Sequence, residues 1–306
     1  MSRAIRFDHY GGIEVLEVVE VEPPLPGPGQ LLVQVKAAGI NLGESKIRRG
    51  LLHDRWPSTF PSGQGSDLSG VVIELADSAN GFQVGDEVLG FTHDRSSHAE
   101  LVVVESVHVT FRPSNVRWDV AGSLFVAGTT AYATVGAVSP TPNETVVIAG
   151  AAGGVGSIAV QLARLTGATV IGIASESNHR WLRDQGVVPV MYGSDTAHRV
   201  LAASEGKVDA FIDTVGDGYV KLALDLGVRP DRINTIVDFQ AVETYGVKAV
   251  GNSDAATIEI LAELASLVST GTLEVPIARV YPLEQVRDAY RELEAHHAHG
   301  KIVLEP

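Results

Sequence analysis

Residues 145–186 read TVVIAGAAGGVGSIAVQLARLTGATVIGIASESNHRWLRDQG, and the order of apolar and glycine positions within them decides the fold. Thr145 to Ala149 is an apolar run, the pattern of a parallel strand covered on both faces. Gly150, Gly153, Gly154 and Gly156 then crowd one turn, with Ala151 standing where the first glycine of a G-x-G-x-x-G fingerprint would be. The fingerprint is therefore Ala151-x-Gly153-x-x-Gly156. Its first position allows the tight bend, its second lets a pyrophosphate approach the backbone, and its third lets helix pack on strand. Val155, Ile158, Ala159, Leu162 and Ala163 form one helix face, with Ser157, Gln161 and Arg164 marking the other side. The free N–H groups and positive dipole end of that helix point back into the turn, where they can hold a phosphate. A second strand follows from Thr169 to Ala174. Strand, glycine turn, helix and strand predict half of a dinucleotide-binding sheet, with Ala151, Gly153, Gly154, Val155 and Gly156 as its cofactor-binding turn.

At 306 residues the chain is long for a single core, and its 45% apolar content suffices for two. The net charge is −14 with no run of Lys or Arg, which argues against nucleic-acid or membrane partners and for a small molecule. The absence of cysteine rules out disulfides, thiolate nucleophiles and Cys-ligated zinc. No segment approaches the ~18 uninterrupted apolar residues of a membrane helix. Met1 to Asp8 has no apolar stretch of signal-peptide length, so the cytoplasm is the expected compartment.

Up to about Pro113 the signals are strand and turn: Ala4 to Phe7, Leu16 to Val21, an alternating run through Leu31, Val33, Val35 and Ala37, then Leu68 to Leu75, Glu87 to Phe91 and Ala99 to Val104. Beyond Trp118 strands and helices alternate. A helix runs to Gln185, a strand spans Val187 to Met191, Asp195 caps a helix through Ser204, and strands follow at Val208 to Asp213 and Arg232 to Asp238. Such alternation predicts a parallel, doubly wound sheet, with Tyr245 to Gly251 as its exposed final strand. A helix from about Asp254 to Ser269, Val275 to Val280, a helix from Leu283 to His299 and Lys301 to Leu304 follow, and this tail is expected to return to the first domain. The expected fold class is α/β: a β-rich domain of residues 1–116 and 271–306, and a Rossmann dinucleotide-binding domain of residues 117–270.

Together these pieces resemble the zinc-independent quinone oxidoreductases of the medium-chain dehydrogenase/reductase superfamily, related to zeta-crystallin. The resemblance covers nearly the whole chain. It rests on Ala38-Gly39-Ile40-Asn41 followed by Lys46-Ile47-Arg48-Arg49-Gly50, on Gly65-Ser66-Asp67-Leu68-Ser69-Gly70-Val71-Val72, and on Val84-Gly85-Asp86-Glu87-Val88. Ala127-Gly128-Thr129-Thr130-Ala131-Tyr132, the glycine turn, Asp213-Thr214-Val215-Gly216 and Gly300-Lys301-Ile302-Val303-Leu304 complete it. It implies a GroES-like domain from both chain ends, a nucleotide domain inserted between them and a substrate cleft where they meet. Zinc alcohol dehydrogenases of the superfamily carry Gly-His-Glu where this chain has Gly65-Ser66-Asp67, and cysteine ligands that it lacks, so no catalytic zinc is expected. Many quinone reductases place tyrosines where this chain has Lys46 and Leu52, which leaves quinone less firmly implied than the reductase chemistry.

The implied reaction passes hydride from a reduced nicotinamide to an electron-poor carbon or a quinone oxygen. A protein supplies orientation, a dry pocket and a hydrogen bond to the developing negative charge. Asn41 is the first candidate for that bond, through an amide that polarises a substrate carbonyl or holds the nicotinamide ribose; the alternative is a buried amide satisfying a turn. Thr130 occupies the family's nicotinamide-facing position, the alternative being a helix cap. Lys46 is a candidate proton donor or anion-steering group, against an exposed surface lysine. Among ten histidines, His296, His297 and His299 do not share one helix face, so no metal site is read there. His93 and His98 bracket a polar stretch, Thr92 to Ser97, read as a surface loop.

In NAD-binding sheets an Asp or Glu roughly 20 residues past the glycine turn accepts from the ribose 2′-OH. Ser175 takes that place here, and a hydroxyl does not repel a 2′-phosphate. Ser177 and Asn178 add donors, Arg180 offers a cation or is a solvated helix residue, and Tyr192 follows the third strand where relatives contact the adenosine ribose phosphate. NADPH is therefore expected, with NADH left open by Glu176, one residue from the expected strand end. The leading reading is an NADPH-dependent reductase of a quinone or α,β-unsaturated carbonyl. A reductase of an enoyl thioester or biosynthetic intermediate, and a protein that binds NADPH without turnover, stay open beside it. A homodimer through the Tyr245 to Gly251 edge is expected, because an unpaired edge strand is otherwise unprotected and the family often dimerises there.

Overall fold

Both ends of the chain build one compact unit, Met1–Val126 with Thr257–Pro306, and the middle, Ala127–Ala256, builds a second. The computed structural model describes every residue except Ser78 and Asn80. In the first unit, the alternating residues Leu31, Val33 and Val35 put one face of the strand Gln30–Gly39 into a core with Leu68, Val72, Val88, Val102 and Val104. The sheet runs in the order Ile277–Pro282, Lys301–Glu305, Gln30–Gly39, Asp67–Leu75, Glu87–Phe91, Val109–Phe111, with Leu101–Glu105 also paired to Gln30–Gly39. A smaller sheet holds Glu17–Val21, Ser2–Phe7 and Ser62–Gly63. The tail enters the large sheet through Lys301–Glu305, antiparallel to Gln30–Gly39, with Val303 opposite Gly39 and Leu304 opposite Ala38. The helix Val286–Glu294 buries Val286, Ala289 and Tyr290 in a second core with Ile5, Phe7, Leu16, Ile302 and Leu304.

The limits between the units fall at Val126/Ala127 and Ala256/Thr257 rather than at the expected 116/117 and 270/271. The helix Trp118–Ala121 packs on strands of the large sheet, and the helix Ile258–Ser269 packs on Val109–Phe111, so both cover the β-rich unit. The helix expected from Asp254 to Ser269 is two, Asn252–Ala255 and Ile258–Ser269, because Thr257 starts the second by accepting the Ile260 N–H. The helix expected from Leu283 to His299 ends at Glu294, and His296 has a left-handed φ of 58°.

The second unit is a five-stranded parallel sheet in the order Val188–Met191, Thr169–Ala174, Thr145–Ala149, Ala210–Asp213, Ile233–Thr235. Connections run outward in one direction from Thr145–Ala149 and then in the other. Ligands of such sheets bind beyond the carboxyl ends of the two strands where the order reverses, here Thr145–Ala149 and Ala210–Asp213. The expected final strand from Tyr245 to Gly251 does not form. Phe239–Tyr245 is a helix stopped by Gly246 at φ 68°, and Lys248 makes an isolated bridge to Asn234. The Asn234 side chain then takes both the N–H and the C=O of Val250, at 2.8 and 2.9 Å, and ends the ladder. The strand that motivated an edge-to-edge dimer is thus absent among the described residues.

Candidate functional site

Gly150 turns the chain out of the first strand at φ 74°, a conformation that favours glycine. The Gly150 and Ala151 N–H groups both donate to Ile173 O at 3.1 Å, and Gly153 N–H donates to Gly150 O at 3.0 Å. A Cβ on Gly156 would lie 2.0 Å from Gly150 O, so only glycine permits this approach of helix to turn. At Gly153 an added Cβ would meet nothing nearer than Gly150 O at 3.4 Å, leaving the open face that a pyrophosphate needs. Ala151, in a glycine place of the fingerprint, is fully buried, and a Cβ on Gly172 would lie 2.8 Å from its methyl. Room normally made at position 151 is supplied by Gly172 on the neighbouring strand. The helix Gly156–Leu165 has no side-chain cap at Val155. Of its first-turn groups, Ser157 N–H donates to Gly153 O at 2.9 Å and Ile158 N–H to Val155 O at 3.2 Å, so the turn's own carbonyls cap the helix and its positive dipole end faces the turn. Ser157 and Gln161, on the side opposite the apolar face, are also buried, and Gln161 Nε2 donates to Ser157 O at 2.7 Å.

Strand Thr169–Ala174 has its expected limits, and Ser175 opens a short turn over Glu176–Asn178. Asn178 Nδ2 donates to Ser175 Oγ at 2.9 Å, and the Ser175 and Ser177 hydroxyls are 3.0 Å apart, so these three candidates are brought together. Among the described residues Arg180 makes no hydrogen bond to that cluster. Its side chain is 93% exposed, with Asp184 at 4.0 Å, as a solvated helix residue. Tyr192 is exposed just past Val188–Met191, and Arg199, which sequence reasoning passed over, donates to Met191 O at 2.9 Å beside it. At the switch point Thr214 Oγ1 donates to Ala149 O at 2.8 Å, joining the ends of the two central strands. The buried Asp213 carboxylate fixes the following turn by accepting Val215 N–H at 2.9 Å, Gly216 N–H at 2.8 Å and Thr235 Oγ1–H at 2.8 Å. Burial raises its pKa against those bonds. Asp213 and Thr214 belong to a motif that signalled the resemblance, and that motif was the one available clue to them.

In the first unit Asn41 N-caps the helix Leu42–Arg48, with its N–H donating to Glu44 Oε2 at 3.0 Å in a capping box. Its amide is fully engaged: Nδ2 donates to Asp67 Oδ2 at 2.9 Å and Glu44 Oε1 at 3.2 Å, and Oδ1 accepts from Lys301 Nζ at 2.5 Å. Both amide hydrogens are thus taken inside the protein, so polarising a substrate carbonyl or holding the nicotinamide ribose, the two roles expected of Asn41, would require one of these bonds to open. Lys301 also donates to Ile40 O at 2.9 Å and stands 3.8 Å from Asp67 Oδ2. Burial pushes the Asp67 carboxyl up to about 6, against the opposing pull of Lys301, Asn41 and the Val126 N–H. Burial lowers the Lys301 ammonium. Tyr290 donates to Glu44 Oε2 at 2.6 Å, and the buried Arg48 guanidinium lies 4.8 Å over its ring while pairing with Glu294 at 2.9 Å. His98, expected on a surface loop, is buried in this region with Nε2 3.2 Å from Gly39 O, and burial lowers its pKa. Asp67 and Lys301 come from opposite ends of the chain, and no local pattern pairs them.

Lys46 is half-buried on the helix that Asn41 caps. Thr130 is buried within the helix Phe125–Val138, past its first turn, and so does not cap it. Among the described residues no three His, Cys, Asp or Glu side chains gather as a metal site, and no helix is long and apolar enough to cross a membrane.

Residues 27–143 match the alcohol dehydrogenase GroES-like domain, and residues 185–304 match the zinc-binding dehydrogenase domain. The chain is 30% identical over 330 residues to the quinone oxidoreductase of Pseudomonas aeruginosa, covering 100% of both proteins. The structure of the quinone oxidoreductase from Coxiella burnetii is similar at a TM-score of 0.88 and 31% identity, over 100% of this chain and 99% of that one. The Escherichia coli quinone oxidoreductase complexed with NADPH is similar at 0.86 and 25%, over 99% and 100%. A GroES-like unit joined to a doubly wound sheet with an open glycine turn defines an NAD(P)H-dependent oxidoreductase. Within that class the chain belongs to the quinone oxidoreductase family of the medium-chain dehydrogenase/reductase superfamily.

Proposed function

We propose that the chain is an NADPH-dependent reductase, working without zinc, that passes hydride to a quinone or an α,β-unsaturated carbonyl. The observation that carries the cofactor choice is the Ser175, Ser177 and Asn178 cluster at the end of Thr169–Ala174. An acid in the place of Ser175 would repel a 2′-phosphate, whereas hydroxyl and amide groups can donate to it. The relative complexed with NADPH supports the same choice. Bound NADPH supplies the hydride. The protein's part is placement: the Gly150 to Gly156 turn and the helix behind it take the pyrophosphate, the Ser175 cluster takes the 2′-phosphate, and Tyr192 borders the adenosine end. Thr130 is read as the group facing the nicotinamide, and Lys46 as a group near the acceptor. Ser66 in the place of the zinc enzymes' histidine, and a chain without cysteine, support the metal-free reading.

A second reading, an enoyl thioester as acceptor, has one observation in its favour. Lys46, Arg49 and Arg55 lie within one short stretch of a chain whose net charge is −14, an arrangement suited to an acceptor with an anionic handle.

The test measures dissociation constants for NADPH and NADH in the parent, Ser175→Ala and Arg180→Ala, with turnover on a panel of quinones, enones and enoyl thioesters. The parent should prefer NADPH, and Ser175→Ala should weaken NADPH selectively. Arg180→Ala should change binding less than about fivefold, as an exposed charge does. Equal affinity for both cofactors, or an indifferent Ser175→Ala, refutes the pocket assignment. Tight NADPH binding with no turnover on any acceptor would make the chain a binding protein.

A further inference from the structure

Asp67 opens the strand Asp67–Leu75 with no exposed surface. Its Oδ1 accepts the Val126 N–H at 2.7 Å, in the first turn of the helix Phe125–Val138, while Oδ2 faces Asn41 Nδ2 and the Lys301 ammonium. A carboxylate so placed takes an N–H that has no partner within the helix and complements the helix dipole. The backbone around it is in close contact. Gly39 N–H donates to Gly122 O at 2.6 Å, and a Cβ on Gly39 would lie 2.8 Å from Ser123 Cα and 3.0 Å from Asp67 Oδ2. A Cβ on Gly122 would lie 2.3 Å from Ala37 O. The backbone ahead of the helix is therefore closely packed, and the Asp67 carboxylate is bonded to the first turn. From Ala127 onward the same helix belongs to the second unit, where Asn252 Nδ2 donates to Thr129 Oγ1 at 2.6 Å, Asn234 Nδ2 to Thr134 Oγ1 at 2.5 Å and Lys248 Nζ to Ala137 O at 2.6 Å. Thr130 lies between these attachments.

We propose that Asp67, balanced by Lys301, is a positioning residue for hydride transfer: its carboxylate fixes the first turn of the helix Phe125–Val138 and, through that helix, the placement of Thr130. The inference rests on the reading of Thr130 as the nicotinamide-facing group. The groups that face Asp67 are Lys301 from the last strand, Asn41 and Glu44 from the helix Leu42–Arg48 and its cap, and the Val126 N–H. Lys301 and the two hydrogen bonds favour the carboxylate, whereas burial and Glu44 favour the neutral acid, and the balance lies at about 6. Protonation removes the charge that Lys301 and the helix start both face and leaves Oδ1 a weaker acceptor for the Val126 N–H, so positioning weakens as pH falls through that value.

The test is a steady-state pH profile from about pH 5 to about pH 8 in the parent, Asp67→Asn, Thr130→Val and the double variant. In the parent, kcat should fall on the acid side through one ionisation, while KM for NADPH moves less than about twofold. Asp67→Asn should lower kcat above that limb by about tenfold or more, the scale of a misplaced reacting group, and abolish the limb. Adding Asp67→Asn to Thr130→Val should cost little beyond Thr130→Val alone. An acid limb that survives in Asp67→Asn, an unchanged kcat there, or costs that multiply in the double variant overturns the proposal. Thr130→Val with unchanged kcat overturns the reading of Thr130 and this route with it; an intact Asp67-dependent limb distinguishes that outcome from failure of Asp67 itself. Should Asp67→Asn fail to fold, the parent's profile decides, since a kcat flat across the acid range overturns the proposal.

Discussion

Alanine at Gly156 and at Gly153, one at a time, separates packing from binding within a single turn. At Gly156 the added Cβ would stand 2.0 Å from Gly150 O, 2.8 Å from Gly150 C and 3.0 Å from Ala151 Cα, all backbone atoms that cannot rotate away. To bring the first contact out to 3.0 Å the helix must back off by 1.0 Å (3.0 − 2.0). Overpacking of this kind costs ~3 kcal/mol at the upper end of its usual range, and the better helix propensity of alanine returns ~1 kcal/mol. A net destabilisation of about 2 kcal/mol should follow in urea unfolding. At Gly153 the first contact is an ordinary 3.4 Å, so alanine there should leave stability within about 0.5 kcal/mol of the parent. Its methyl nevertheless stands on the open face, and each charge-assisted bond lost to the pyrophosphate is worth ~1.5–3 kcal/mol. NADPH affinity, followed by fluorescence titration, should weaken about 10- to 100-fold. Gly153→Ala that binds NADPH like the parent refutes phosphate approach at that face, and Gly156→Ala that unfolds like the parent refutes the close-packing argument.

Asn41→Ala should cost about 2–4 kcal/mol in urea unfolding, because it strands Lys301, Asp67 and Glu44 together; parent-like stability with lost turnover would return the amide to the chemistry. Arg232 donates to both Glu144 oxygens, at 3.0 and 2.7 Å, and holds that carboxyl down from 4.5 to about 2. A depressed carboxylate stabilises the fold above its unfolded pKa, so this contribution, about 1 kcal/mol after solvent screening, should be complete above pH 4.5 and fade as pH falls toward about 2. Arg232→Met should flatten that part of the stability-versus-pH curve, and an unchanged acid limb would show that the pair contributes nothing. Ser175→Asp should lower the kcat/KM ratio of NADPH to NADH about tenfold or more, through repulsion of the 2′-phosphate and a new acceptor for the 2′-OH; an undiminished ratio would place the phosphate elsewhere.

The parallel sheet was legible because strands buried on both faces appear as apolar runs, and Thr145–Ala149 and Thr169–Ala174 have their expected limits. The change from β signals to β/α alternation places the limits near 116 and 270, but a local pattern does not report what a helix packs on, and Trp118–Ala121 and Ile258–Ser269 lie on strands of the β-rich unit. Tyr245 to Gly251 has strand-forming residues, yet the left-handed Gly246 and the Asn234 amide override that local preference. Counting along the chain brings Arg180 near the Ser175 turn but does not report its exposure, which is 93%. The sequence motif singles out Asn41, but what its amide oxygen bonds depends on Lys301, which only folding brings near.

The assembly of one unit from both chain ends also sets an order of events during synthesis. Ala127–Ala256 is contiguous and can close as soon as it leaves the ribosome, whereas the β-rich unit waits for Thr257–Pro306. Until Lys301 emerges, the Asp67 and Glu44 carboxylates lack that buried cation, and the edge of Gln30–Gly39 that Lys301–Glu305 will cover lies open. A nascent chain stalled before Lys301 emerges would thus carry a finished nucleotide fold and an unsealed sheet, the form in which chaperones and proteases would meet it.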